Sequence, residues 1–454
     1  MKYRIQSIIL FSIGVFIASI SACKLDPEIQ SEWLDADEYF AGGETTIFDV
    51  TSAAFSSPAN NLTAENLEKH FAGDLTFEQT YVTAPAQNLG GLGPVFNNTS
   101  CVGCHTLDGR GAEPTVFRVS MPGIAENGGP KAIPLFGTQM QDKAVVGISA
   151  EGKVLISYME VNGFFGDGTV YHLRKPVYTV TDTYSPVPSE ILLSVRVAPP
   201  VFGLGLLEAI PENDIVNYSD ANDADGDGIS GKPNYVWDVA DNVAKIGRFG
   251  WKANQPDLTQ QTAGAFSEDM GITNPLFPSE SCYGQTQYDG LNDDTEIDDY
   301  KIDVTTFYSQ TLAVPAPRKL DDPTVMQGKK IFYELNCNTC HKPSWQTGSA
   351  VIDELSNQKI YPYTDMLLHD MGDELADNRP DFLADGNEWK TRPLWGIGLT
   401  MLANGHTNFL HDGRARNIEE AILWHGGEAQ ESKTAYTNLS KEDRDALLKF
   451  LNAL

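Results

Sequence analysis

Three hydrophobic patterns follow one another along the chain. Behind Lys2 and Arg4, Ile8 to Ile20 is a nearly unbroken apolar run, short for a membrane-spanning helix and suited to the core of a signal peptide. From about 143 to 198 apolar and polar residues alternate. "KAVVGISAEGKVLISYMEV" and "GTVYHLRKPVYTVTDTY" are rich in β-branched and aromatic residues and predict strands and hairpins. Toward the C-terminus the period lengthens to that of a helix. Ser440 and Asp443 stand in capping positions before the stripe Ala446, Leu447, Phe450 and Leu451, and Asp322-Pro323 opens another helix at its cap and first position. Ile418, Ala421, Ile422 and His425 fall at i, i+3, i+4 and i+7. Asn417 caps that short helix with Glu420 reaching back to it, and Gly426-Gly427 ends it. A histidine on that apolar face needs a partner, either the main chain or a ligand.

Ile20-Ser21-Ala22-Cys23 resembles a lipobox, so residues 1–22 are expected to be a lipoprotein signal peptide and Cys23 the lipid anchor. The alternative is an ordinary secretory peptide with an incidental cysteine. Either one exports the protein, and the lipid anchor would hold it in the cell envelope. Lys24, by resemblance to lipoprotein sorting rules, favours the outer membrane. Losing Lys2 and Arg4 with the signal takes the formal charge from −30 to −32, which argues against nucleic acid as a partner. Basic redox proteins or cations suit such a charge, which also serves plain solubility. The acidic "DGLNDDTEIDDYKID" at 289–303 is expected to be a solvated loop.

Four of the six cysteines form two copies of one motif, "CVGCH" at 101–105 and "CNTCH" at 337–341. This is the signature of covalent c-type haem attachment: two thiols, Cys101 and Cys104 or Cys337 and Cys340, add across the haem vinyl groups. The adjacent His105 or His341 is the proximal iron ligand. A dithiol redox pair or a four-cysteine zinc site leaves the histidine after each pair unexplained. Cys282 remains as a buried or free thiol.

Two cytochrome c-like haem domains are therefore expected in a mainly α fold, 23–317 and 318–454, the first enlarged by the strands and hairpins of 143–198. "PVFGLGL" at 200–206 echoes "PLWGIGL" at 393–399 in residue type, which suggests two diverged copies of one domain. "DADGDGISG" at 223–231 places Asp223, Asp225 and Asp227 at positions 1, 3 and 5 of a calcium loop, with Gly228 at the turn. Position 12 is Asn234, so the choice is a non-standard calcium site or a plain polar turn.

"GPVFNNTSCVGCHTLDGRG", "APPVFGLGLLEAIPE", "DADGDGISG", "GRFGWKANQPDLTQQTAGAFSEDMGITN", "PYTDMLLHDMG" and "LHDGRARNIEEAILWHGGEA" occur in this order. Together they resemble the bacterial di-haem oxidoreductases, described as peroxidases or thiol oxidoreductases, over nearly all of the mature chain. More distantly the chain is similar to di-haem cytochrome c peroxidases and MauG. The resemblance implies two covalently bound haem c groups, one for electron entry and one for peroxide chemistry, with calcium between them.

It further implies that a later residue of the helix entered from the "HDG" turn, here His425, is the sixth ligand of the His341 haem, with His411 as its rival. The related peroxidases place a distal histidine after the first motif. This chain offers Met121, as a ligand or as packing, and no histidine before His172. Glu208 is the implied general acid/base, Arg118 the stabiliser of charge, and Trp251 an electron bridge or a core residue. The implied function is a peroxidase-like di-haem oxidoreductase. Its electron donors would be small redox proteins or quinol-linked donors, and its oxidant peroxide or another small molecule. The alternative is a non-catalytic electron-transfer lipoprotein serving surface metal uptake.

Overall fold

The computed structural model describes residues 35–84, 86, 89–291 and 295–454. The expected signal peptide at 1–22 and Cys23 lie outside these residues. Among the described residues no helix is long and apolar enough to cross a membrane.

Two helix pairs organise the fold. Ala64–Phe77 starts at Thr63, whose hydroxyl accepts the Asn66 N–H at 3.3 Å, and Asp299–Thr311 starts at Asp298, which accepts from Lys301 N at 3.1 Å. The two pack with Gly73 at the crossing: a Cβ there would lie 2.0 Å from the Val304 carbonyl oxygen and 2.7 Å from Tyr308 Cβ. Only a residue without a side chain admits this approach. The arrangement recurs between Pro323–Glu334, capped by Asp322, and Lys441–Leu451, capped by Ser440. Here a Cβ on Gly328 would lie 2.0 Å from the Ala446 carbonyl oxygen and 2.8 Å from Phe450 Cβ.

One turn beyond each glycine stands a phenylalanine beside a motif histidine. Phe77 and His105 are 6.1 Å apart at 53°, and Phe332 and His341 are 6.4 Å apart at the same 53°. Phe77 packs on Tyr308 at 5.2 Å, as Phe332 packs on Phe450 at 5.5 Å. The two echo segments also meet reciprocally. A Cβ on Gly203, at φ +71°, would strike Trp395 at 2.5 Å, and one on Gly396, at φ +70°, would strike Phe202 at 2.7 Å. Each glycine accommodates the aromatic ring of the other segment, so the repeats share one continuous core.

Strand content begins earlier than 143. Val116–Ile124 pairs antiparallel with Leu192–Arg196, Gln139–Met140 and Pro130–Lys131, burying Phe117, Val119, Met140 and Val195 on one face. Lys153–Phe164 and Val170–Thr181 form a separate long hairpin, with Leu155, Met159 and Val161 exposed. With 29% helix and 19% strand the chain is mixed α and β rather than mainly α. The acidic stretch is not all loop either. Asp298 caps the helix, so residues 299–303 form its first turns, where acidic side chains suit the helix N-terminus.

Candidate functional site

Each motif opens onto its own cavity. That beside Cys337, Cys340 and His341 has a volume of about 260 Å³, and that beside Cys101, Cys104 and His105 about 160 Å³. These residues lie deep in the fold yet remain partly exposed, because the cavities border them. Burial pushes the Cys101 and Cys337 thiols up to about 12, the reverse of the lowered thiol of a reactive redox pair. It also holds His105 and His341 down at about 4, as neutral imidazoles fit to bind a metal.

In the larger cavity the tautomers follow from the main chain. His341 Nδ1 lies 3.0 Å from the Tyr363 carbonyl oxygen and His425 Nδ1 2.7 Å from that of Ala421. A carbonyl only accepts, so both Nδ1 atoms carry the proton and both Nε2 atoms are lone-pair donors. His425 lies just past Ile418–Trp424 as its C-cap, with φ −58° and ψ 137°, rather than inside the helix. Asn417 caps as expected, accepting from Glu420 N at 2.8 Å, but the Glu420 carboxylate turns to Arg416 instead, taking its N–H at 2.9 Å. His411 borders the same cavity, stacked on Trp389 at 3.8 Å and 11°, and burial holds it at about 4.

The smaller cavity differs. Among its described lining residues His105 is the sole histidine, Asp269 the sole carboxylate and Met270 the sole methionine. Arg118 and Arg196 also line it. Arg118 pairs with Glu268 and lies in the field of Asp269; burial lowers it to about 10. Asp269 accepts from Gln139 Nε2 at 2.7 Å, and burial raises its carboxyl against the pull of Arg118. Trp251, Arg392, Pro200 and Leu204 border both cavities. Trp251 is fixed there by its Nε1–H, which donates to the Val197 carbonyl oxygen at 2.8 Å.

Several expected groups lie elsewhere. Glu208 lines neither cavity. Its Oε1 accepts the Leu258 N–H at 2.8 Å and its Oε2 accepts from Gln310 Nε2 at 2.6 Å, so both oxygens are engaged away from the two cavities, where they support the Leu258–Met270 helix. Met121 packs beside Phe117, Val119 and Met140, away from both cavities. His172 stands exposed on the long hairpin, bonded to Asn162 at 2.6 Å. Cys282 is buried with its Sγ 3.4 Å from Glu280, and burial raises the thiol.

In the acidic loop, oxygens of Asp220, Asp223 and Asp225 gather within 4.8 Å of one another, without Asp227. Asp227 instead accepts the Ile229 N–H at 2.9 Å. Asn234 is buried: its Nδ2 donates to the Lys252 and Asp381 carbonyls at 2.7 and 2.9 Å and its Oδ1 accepts the Leu383 N–H at 2.9 Å, so its oxygen is engaged away from the loop.

One cluster has no single motif to announce it. His369 Nε2 meets Asp365 at 2.7 Å, and its Nδ1 meets Glu428 at 2.8 Å and Cys340 Sγ at 3.6 Å. Burial opposes its charge, but Asp365 and Glu428 outweigh burial and hold the imidazolium well above the ordinary range. His369 and Glu428 both sit in blocks quoted above, yet nothing local joins them.

One protein family, described as "Di-haem oxidoreductase, putative peroxidase", matches residues 35–121 and 117–454. The curated proteins give no match. Among solved structures, the chain is similar to one titled Kuenenia stuttgartiensis hydrazine synthase pressurized with 20 bar xenon, at 13% identity and a TM-score of 0.33. That alignment covers 88% of this chain and 94% of the other, and so weak a likeness carries no argument.

Proposed function

Because the chain belongs to the di-haem oxidoreductase family, we propose that it is an exported peroxidase-like enzyme built from two cytochrome c-like units, with peroxide chemistry in the His105 cavity and electron entry through the His341 cavity. The supporting observation is the asymmetry of the two cavities. One is lined by four histidines, of which His341 and His425 each have Nδ1 tied to the main chain. The other presents His105 and no second histidine among its described lining residues.

Cys101, Cys104 and His105 would hold one haem, and Cys337, Cys340, His341 and His425 the other. The cavity beside each motif fits such a group, and in the larger one the fixed tautomers of His341 and His425 leave Nε2 of each free to bind iron. When bound, haem supplies an iron that binds peroxide or stores an electron. Reduction of hydrogen peroxide takes two electrons and two protons and yields two waters. In the His105 cavity, Arg118 offers a fixed positive charge toward the oxygen that gains negative charge, and Asp269 is the carboxyl available to carry a proton. Trp251 borders both cavities, on a wall that electrons could cross.

Calcium, if bound, would be held by Asp220, Asp223 and Asp225. Cys23 would anchor the protein to the outer membrane, and small redox proteins or quinol-linked donors would supply electrons. A second reading rests on Met270: a thioether on the first iron would leave an electron-transfer lipoprotein.

Optical and EPR spectra of the purified holoprotein, with carbon monoxide and peroxide added, separate the two. One high-spin haem that binds carbon monoxide supports the enzyme. Two low-spin haems inert to both ligands would leave the electron carrier.

A further inference from the structure

Among the described residues, the guanidiniums held in the interior of this protein or lining its cavities have partners, with one exception. Arg196 and Arg379 share Asp381, each at 3.2 Å; Arg414 pairs with Asp412 at 2.8 Å; Arg248 donates to the Leu207 and Ile210 carbonyls at 3.2 and 2.8 Å. Arg392 makes no hydrogen bond or ion pair with any described residue. It stands over the Trp251 ring at 5.1 Å, and burial alone lowers it to about 10, so it stays charged at neutral pH. Its charge acts on groups of both cavities, making His105 on one side and Arg110 and Lys390 on the other harder to protonate. It lines both cavities. A cation inside the fold that faces only cavities and has no counter-charge is costly unless something else supplies one.

We infer that Arg392 is an anion clamp shared by the two cavities, taking a propionate carboxylate from the haem bound in each. Its planar fork of five N–H donors, none used by the protein, can serve carboxylates from two directions. One positive charge then sets the potentials of both haems together. Arg110 makes the contrast. It borders only the larger cavity, donates to the Leu410 carbonyl at 2.7 Å, and has a buried Nε without a partner. The inference rests on both cavities binding haem, but not on what the enzyme oxidises.

The test is a redox titration of the two-haem holoprotein, followed by optical and EPR spectra without peroxide. A positive charge favours the reduced haem, so Arg392→Gln is expected to lower the reduction equilibrium constant of both haems about tenfold, which is about 59 mV each for a one-electron couple. Arg392→Lys is expected to keep both within about threefold, and Arg110→Gln to move one haem only. If Arg392→Gln moves one haem or neither, the shared clamp is wrong. Should Arg392→Gln fail to load both haems, Arg392→Lys decides: two haems at near wild-type potentials support the clamp, and any other result overturns it. A protein inert to peroxide would sink the peroxidase reading and leave this measurement unaffected.

Discussion

His425 donates its Nδ1 proton to the carbonyl oxygen of Ala421 at 2.7 Å, within its own turn of chain, so the nitrogen left for the cavity is Nε2. Removing the ring should open a coordination position in the His341 unit. The His425→Ala holoprotein is expected to convert one low-spin haem to high spin and gain carbon monoxide binding there, as seen by EPR and optical spectra. His425→Met should instead raise that haem's potential, since a methionine ligand favours the reduced iron.

Glu208 and Arg118 separate by position. With both oxygens engaged outside the cavities, Glu208 contributes stability, so Glu208→Gln should lower the free energy of unfolding by about 1–2 kcal/mol and leave peroxide turnover within about twofold. Arg118 lines the His105 cavity, so Arg118→Gln should cost about 10²–10³ in kcat. Steady-state kinetics beside thermal melts distinguish the two. A Glu208→Gln protein that folds well and has lost turnover would return that residue to the chemistry.

Glu151 predicts a pH dependence. Burial raises its carboxyl to about 7, against the bond from Gln141 N to its Oε2 at 2.8 Å. A raised folded-state value means that folding binds a proton. The contribution is therefore full below the ordinary carboxyl value and is lost as pH rises through about 7. Glu151→Gln removes that loss. Relative to wild type its melting temperature should rise from pH 5 to pH 8, with a gain approaching about 3 kcal/mol at the upper end.

Gly328→Ala tests the helix crossing. The added Cβ would meet the Ala446 carbonyl 2.0 Å away, and backbone cannot rotate aside as a side chain can. Despite alanine's better helix propensity, a net loss of about 1–3 kcal/mol is expected, read as a lower melting temperature and weaker haem retention. An unchanged melt would show that the helices can part without cost.

What the sequence revealed is what depends on neighbours in the chain. The CVGCH and CNTCH motifs, the caps at Asp322, Asn417 and Ser440 and the hairpin of 153–181 are all written within a few residues. Position across the fold was not legible. Glu208 has the chemistry of an acid/base, but the direction of its side chain is decided by Leu258 and Gln310, far away in sequence. Asp365 and His369 are spaced as on a helix, yet meet in extended chain, where strand Leu368–Asp370 pairs with Glu388–Lys390. Arg392 stands out only through the absence of a nearby carboxylate, which no local pattern records. The strand at Val116–Ile124 lies outside the expected β region, and of its three partners only Leu192–Arg196 falls inside it, so its pairing reaches across some seventy residues that no local pattern joins.

The doubled helix crossing also says where this chain could lengthen. The partners of the second pair are joined by residues 335–440, and those of the first by 78–298, a loop about twice as long. Closing a flexible loop of double length costs only about 0.6 kcal/mol more. Once Gly73 lets its two helices lock, the hairpin, the acidic loop and the four-strand sheet hang from a connection whose ends are already pinned, and adding them taxes the scaffold little.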